Sequence, residues 1–222
     1  MVKLRVHNLA VSLDGFATGE GQTFEAPFGH AGGRLMEWFF PTQTFVSLSG
    51  GEAESPGAGT QGIDDALAAA AWKGVGAEIM GRGKFGPQHG PWADEAWRGW
   101  WGEEPPFHTP VVVLTHYERP DLTVGETTFL FRALPPEDAL ALAASVADGL
   151  DVRLGGGPTV VREFLHADLV DHLHVVVVPI LLGRGVRLWD GLEGLDESFD
   201  IEVVASGSGV VHYLMTRKDR GS

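Results

Sequence analysis

"VRLGGGPTVVREFLHADLVDHLHVVVVPILLGRGVRLWDGL", residues 152–192, is the stretch whose reading decides the fold. A strand-like segment at 151–154 runs into three consecutive glycines. Pro158 then opens a segment that places Val161, Phe164 and Leu165 on one helical face. Proline suits the first turn of a helix, where its missing amide hydrogen costs nothing. Residues 171–178 end in four valines, the composition of a strand buried on both sides. Strand, glycine turn, helix and strand make one α/β unit.

The glycines themselves read in two ways. They allow backbone amides to converge on one spot, and the helix start adds partial positive charge, which suits a phosphate or pyrophosphate. A plain strand-to-helix corner uses the same residues, and the glycines alone do not decide between them.

Working outward, residues 3–12 suit a first strand, ended by Asp14 and Gly15. RLMEWFF, residues 34–40, has Leu35, Trp38 and Phe39 at helical spacing, with Pro41 as the stop. Residues 50–62 have the composition of a surface loop, and IDDALAAAAWKG after them that of a capped helix. Residues 77–80, 111–115 and 128–132 read as strands, and 136–147 as a helix with an acidic start. The tail gives two strands joined by a glycine-serine turn. This pattern predicts one domain over 1–222, a mixed α/β sheet with helices on both faces, closed by a C-terminal antiparallel hairpin.

Charge and composition exclude several classes. Sixteen basic against thirty acidic residues give a net charge of -14 with no basic cluster, so nucleic acid and anionic membranes are not expected partners. The absence of cysteine removes disulfides, thiol catalysis and cysteine-bound zinc. With no signal-like N-terminus and no apolar run of about 20 residues, the expected location is the cytoplasm. His172 and His174 share one strand face, but no third ligand follows at a usual spacing, so no metal is expected. Gly207, Ser208 and Gly209 lie in the hairpin turn, which is not a nucleophile elbow.

Ligands of open α/β sheets bind beyond the carboxyl ends of strands, and three such ends attract attention. They are the glycine turn, MGRGKF (80–85) with Arg82 and Lys84, and LTHYER (114–119) with Thr115, His116 and Arg119. Together they supply amides, hydroxyls and cations for a dinucleotide phosphate. The tryptophans at 92, 97, 100 and 101 either cover a pocket for a flat ring or pack their long connection onto the core.

VSLDGF (11–16), MGRGKF, PVVVLTH (110–116), GGGPTVVREFL (155–165) and the segment 169–192, in this order, resemble the dihydrofolate-reductase-like superfamily. The resemblance is to the branch that includes the reductase domain of the riboflavin-biosynthesis deaminase/reductase. It implies a mixed central sheet of about eight strands, NADPH lying across strand ends, a small-molecule substrate and frequently a homodimer. Carried over, Gly155, Gly156, Gly157, Pro158 and Thr159 resemble the pyrophosphate turn. Gly81 and Arg82 match a nucleotide-contacting pair, and Thr115 with His116 the segment beside the 2'-phosphate. Ser12, Asp14 and Gly15 match the loop near nicotinamide and substrate. Trp38, in the stretch that aligns with the first helix of dihydrofolate reductases, is placed on the substrate side.

Asp14 is the candidate polar group of the reaction, against a plainer role capping the turn before Gly15. The riboflavin enzymes carry a glutamate where this chain has Gly155, and their zinc-binding deaminase domain has no counterpart in these residues. Dihydrofolate reductases carry an acidic residue where Leu35 stands, and Glu37 points about 200° away on a helix. The resemblance thus implies an NADPH-dependent reductase of a small heterocycle, related to pterins, pyrimidines or flavins. Its alternative is a non-catalytic NADPH- or ligand-binding protein of the same fold.

Overall fold

The computed structural model describes residues 2–49, 59–94 and 96–219. In chain order the strands are β1 (Leu4–Ser12), β2 (Phe16–Thr18), β3 (Val75–Gly81), β4 (Pro110–Leu114), β5 (Leu122–Val124) and β6 (Thr127–Arg132). They continue with β7 (Asp151–Leu154), β8 (His172–Val178), β9 (Val186–Arg187), β10 (Phe199–Ala205) and β11 (Val211–Arg217). The helices are α1 (Gln43–Leu48), α2 (Ile63–Ala70), α3 (Arg82–Phe85), α4 (Pro136–Val146) and α5 (Pro158–His166).

Nine strands form one sheet in the order β10-β11-β8-β1-β7-β3-β4-β6-β5, one more than the expected eight, and β2 pairs with β9 apart from it. The six strands from β8 to β6 are mutually parallel, while β5 and the β10–β11 hairpin attach antiparallel at the two edges. A parallel centre covered on both faces needs apolar residues on both sides of each strand, which explains runs such as the valines of β4 and β8.

One face is covered by α4 and α5, whose Ala139, Ala143, Val161 and Phe164 pack on Ile79, Val112, Leu154 and Leu173. The other face carries an aromatic cluster of Phe85, Phe107, Phe129 and Phe131, edged by Trp72, Trp92, Trp97 and Trp101. Burying each such side chain contributes roughly 1.5–3 kcal/mol, so these two layers dominate stability. The expected helix ends are local chemistry. Pro136 opens α4 with Glu137 and Asp138 in its first turn. Asp65 of α2 accepts from Thr44 N and Thr44 Oγ1, both at 2.7 Å, and so docks α1 on α2.

The expected helix over 34–40 does not form. A 3-10 helix spans Gly29–Leu35, broken at Gly32 (φ 54°, ψ -149°), and turns continue to Phe40. Glycine pairs are poor helix formers, and Pro41 blocks continuation from the other side. The apolar spacing still buries Leu35 and Trp38. Of the loop expected at 50–62, residues 50–58 lie outside the described residues. Among the described residues no helix is long and apolar enough to cross a membrane.

Candidate active site

A cleft of about 1780 Å³ opens at the carboxyl ends of β7, β3 and β4, the three ends singled out in the sequence. Backbone hydrogen bonds join two of them. Gly155 N donates to Ile79 O and Gly81 N to Gly156 O, each at 2.8 Å, so the glycine turn is welded to the end of β3. Gly156 has φ 101°, a conformation open to glycine, and its peptide bond to Gly157 is cis. A Cβ added at either residue would meet open space, so the turn presents bare backbone to the cleft. Gly157 caps α5 without a side-chain bond and Pro158 follows, leaving the first amides of the helix to an outside acceptor.

Arg82 lies against this turn's neighbour strand, with its guanidinium 3.9 Å from the Trp92 ring centroid and 5.8 Å from that of Tyr117. Its Nη1 donates to Gly90 O, but Nε and Nη2 are buried with no hydrogen-bond partner. Burial holds its pKa below the usual arginine value, with Tyr117 opposing. Thr115 Oγ1 is committed to a local turn, bonding Tyr117 N and Tyr117 O at 3.1 Å, so it shapes this end of the cleft. His116 is exposed on the cleft wall. Pro158 and Thr159 line the same wall.

Gly155 has a different neighbour. A Cβ there would overlap Glu78 Oε1 and Lys84 Nζ. Lys84 can swing outward, but Glu78 is held by Arg153 and is 1% exposed. Gly155→Ala is therefore expected to lower stability by about 1–3 kcal/mol, measured by urea unfolding; an unchanged midpoint would show that the carboxylate moves freely.

Ser12, Asp14 and Trp38 stand outside the lining of this cleft. Asp14 is a turn anchor: Oδ1 accepts from Ser12 Oγ (2.6 Å) and Leu182 N (3.1 Å), and Oδ2 from Gly183 N (2.7 Å). The Ser12 hydroxyl, aided by those amides, lowers its pKa to about 2, so it carries no proton to donate near neutrality. The plainer turn-capping role weighed for Asp14 is the one its contacts describe. Trp38 is 4% exposed in a cluster with Ala10, Phe16, Leu35 and Val176. The nearby cleft wall is made by Leu35, Met36 and Phe39 instead.

Three residues that sequence reasoning passed over do line the cleft. The pairing of β1 with β8 shifts register between Val6 and Leu9, and Asn8 sits there at φ 58°. This bulge places His7 and Asn8 on the cleft wall. Arg153 lines it too. Asn8 N donates to His174 Nδ1 (3.4 Å), His174 Nε2 meets His212 Nδ1 (2.9 Å), and His212 Nε2 meets Asp64 Oδ1 (2.8 Å). The amide can only donate, so each imidazole carries its proton on Nε2 and passes a hydrogen bond toward Asp64. His174, one of the two imidazoles on β8, thus serves a chain that ties α2 to the sheet. Burial, then the neighbouring His212, lowers its pKa to about 3; burial, then Arg5, does the same to His7. Trp92 and Trp97 pack their connection on the aromatic core, while Trp100 and Trp101 reach the cleft.

The model of the RibD C-terminal domain family matches residues 5–211. No curated protein matches the sequence. Among solved structures the fold recurs in a protein ascribed to riboflavin biosynthesis from Shewanella sp. PV-4, with TM-score 0.55 and 20% identity, covering 98% of this chain and 99% of that one. It recurs in the diaminohydroxyphosphoribosylaminopyrimidine deaminase/5-amino-6-(5-phosphoribosylamino)uracil reductase of Thermotoga maritima, with TM-score 0.53 and 14% identity, covering 98% of this chain and 57% of that one. A dihydrofolate reductase from Enterococcus faecalis, complexed with NADP(H), gives TM-score 0.50 and 14% identity, covering 98% and 97%.

Proposed function

The chain belongs to the RibD C-terminal domain family, and on that premise we propose that it is an NADPH-dependent reductase of a small heterocyclic substrate. The observation that carries this reading is Arg82: two buried guanidinium nitrogens without partners, at a cleft whose glycine turn is open to a ligand. That donor set fits a dinucleotide. The bare backbone of Gly156 and Gly157, in a turn that Gly155 anchors through its bond to Ile79 O, would hold the pyrophosphate with Pro158 and Thr159 at the start of α5. Arg82, Gly81 and the segment of Thr115 and His116 would hold the adenosine end and its 2'-phosphate. When bound, NADPH supplies a hydride.

The chain's own residues then have three tasks. The turn and Arg82 hold the cofactor, the apolar wall of Leu35, Met36 and Phe39 with Trp72 and Phe107 excludes water, and the bulge at His7 and Asn8 offers polar groups to the second ligand. His7 accepts from Arg5 Nε at its own Nε2 (3.0 Å), so its Nδ1 carries the proton and is a hydrogen-bond donor. The heterocycles named for the related reductases, and this flat aromatic wall, support a ring as the substrate. Exposed Ile201, Val203 and Tyr213 on the edge hairpin support a second copy of the chain as partner.

NADPH fluorescence titration tests the reading and should saturate, with NADH binding more weakly. Arg82→Ala is expected to weaken NADPH about tenfold to a hundredfold, the range for hydrogen bonds to charged groups, and to change NADH by less than about threefold. Equal losses would move Arg82 to the shared pyrophosphate, and no saturation with either nucleotide would end the proposal. One observation favours the second reading, a binder without turnover: Leu35 stands where the resembled enzymes carry an acid, and Asp14 is not among the residues that line the cleft. NADPH consumption over pterins, pyrimidines, flavins and quinones separates the two.

A further inference from the structure

Glu78 and Arg153 stand in register on β3 and β7. Glu78 is 1% exposed, and two cations take up both of its oxygens. Arg153 Nε (2.7 Å) and Nη2 donate to Oε2, and Lys84 Nζ donates to Oε1 at 2.8 Å. Arg153 lies 3.7 Å over the Trp72 ring, and Lys84 Nζ is 5.6 Å from the Phe107 centroid. Lys84 and Arg153 line the cleft, whereas Glu78 sits behind them.

Two positive groups and one negative group therefore leave one excess positive charge in an aromatic wall, within a protein of net charge -14. A charge in such surroundings is costly unless paired. The ammonium has three protons and gives one to Glu78, which leaves two for another acceptor. Gly155 keeps the approach clear, since a side chain there would overlap Lys84 Nζ. The rings beside Lys84 and Arg153 are Trp72 and Phe107, whereas those beside Arg82 are Trp92 and Tyr117.

We propose that Lys84 and Arg153 form a subsite for an anionic group, a carboxylate or a phosphate, carried by the second ligand of the cleft and not by the dinucleotide. The role of that ligand as substrate rests on the reductase reading above; the anion site itself does not. The subsite selects acidic heterocycles over their neutral parents. Lys84 presents a point charge with rotatable donors and Arg153, fixed by Glu78 and Trp72, sets the field around it.

Calorimetric titration of the whole chain with sodium acetate and with inorganic phosphate, at constant ionic strength, tests this. Wild type should bind at least one of the two saturably, and the tighter one identifies the acidic group. Lys84→Met should weaken that ion at least tenfold, Lys84→Arg should restore it to within about threefold, and saturating NADPH should leave its affinity unchanged. Superimposed wild-type and Lys84→Met titrations, no binding of either ion, or displacement of the ion by NADPH would each overturn the proposal. Failure of NADPH to bind would refute the reductase reading alone, because the acetate and phosphate titrations run without nucleotide. Lys84→Met keeps Glu78 paired to Arg153, and its urea midpoint checks that the variant is folded.

Discussion

Glu78→Leu should destabilise the protein by about 3–5 kcal/mol, the cost of removing one partner from a buried ion pair. Arg153 is 7% exposed and gives both Nε and Nη2 to Glu78. Without the carboxylate it is left largely buried beside Trp72 with no anion to pair with. Lys84, whose side chain is 29% exposed, can turn outward, so Arg153 bears most of the effect. Burial alone would raise the Glu78 pKa, but Arg153 and Lys84 outweigh it and hold it below its ordinary value. The group therefore stabilises the fold fully above its unfolded value near 4.5, and that contribution fades as pH falls toward the folded value. Urea unfolding at neutral pH measures the loss. The double variant Glu78→Leu with Arg153→Met should recover most of it, since a well-packed apolar pair replaces the ionic one. A single-variant cost below about 1 kcal/mol would show that water reaches the pair.

Acidification from pH 7 to pH 5 should lower stability by about 2–4 kcal/mol through two histidines. His7 and His174 both titrate near 3 in the folded protein and near 6.5 when unfolded. Below about 6.5 the unfolded chain takes up protons that the native state refuses, so stability falls with pH until about 3. Each fully buried site contributes a slope of up to about 1.4 kcal/mol per pH unit. His174 is 3% exposed and approaches that limit, while His7 is only partly buried and contributes less. His174→Gln should flatten the profile by more than half. A urea midpoint constant over this range would mean that both rings are hydrated.

The elements that were legible are those where one force acts alone. Continuous β-branched runs announced β4 and β8, and proline with acidic residues announced the start of α4. The strands β2, β5 and β9, of two or three residues, have no room for a period, so the sequence carries no sign of them. Helical spacing at 34–40 was real as a burial pattern, yet glycines upstream and Pro41 downstream prevented the backbone from following it.

In the site, Arg82 and the glycine turn were readable because a strand end with small and cationic residues has a local signature. Glu78 was not, because a lone carboxylate inside an apolar strand acquires meaning only from Arg153, 75 positions away. Its presence also changes what Gly155 signifies. The glutamate expected at that position in riboflavin reductases is absent, but a carboxylate from the neighbouring strand fills the space a side chain there would need. What reaches the cleft is then the ammonium of Lys84.

The place of β1 in the sheet has a consequence for the life of the chain. Leu4 pairs with Val152 on one side and Ser12 with Val178 on the other, so β1 has no strand partner in the large sheet until about 140 further residues have been made. At roughly 5–20 residues per second of synthesis, it waits about 7–30 s beside the ribosome with both edges unpaired. Long-range parallel pairing of this kind is slow even in the complete chain. Arg5, His7, Asn8 and Ser12 interrupt the apolar residues of this strand, a composition that lessens its tendency to pair with other nascent chains in that interval.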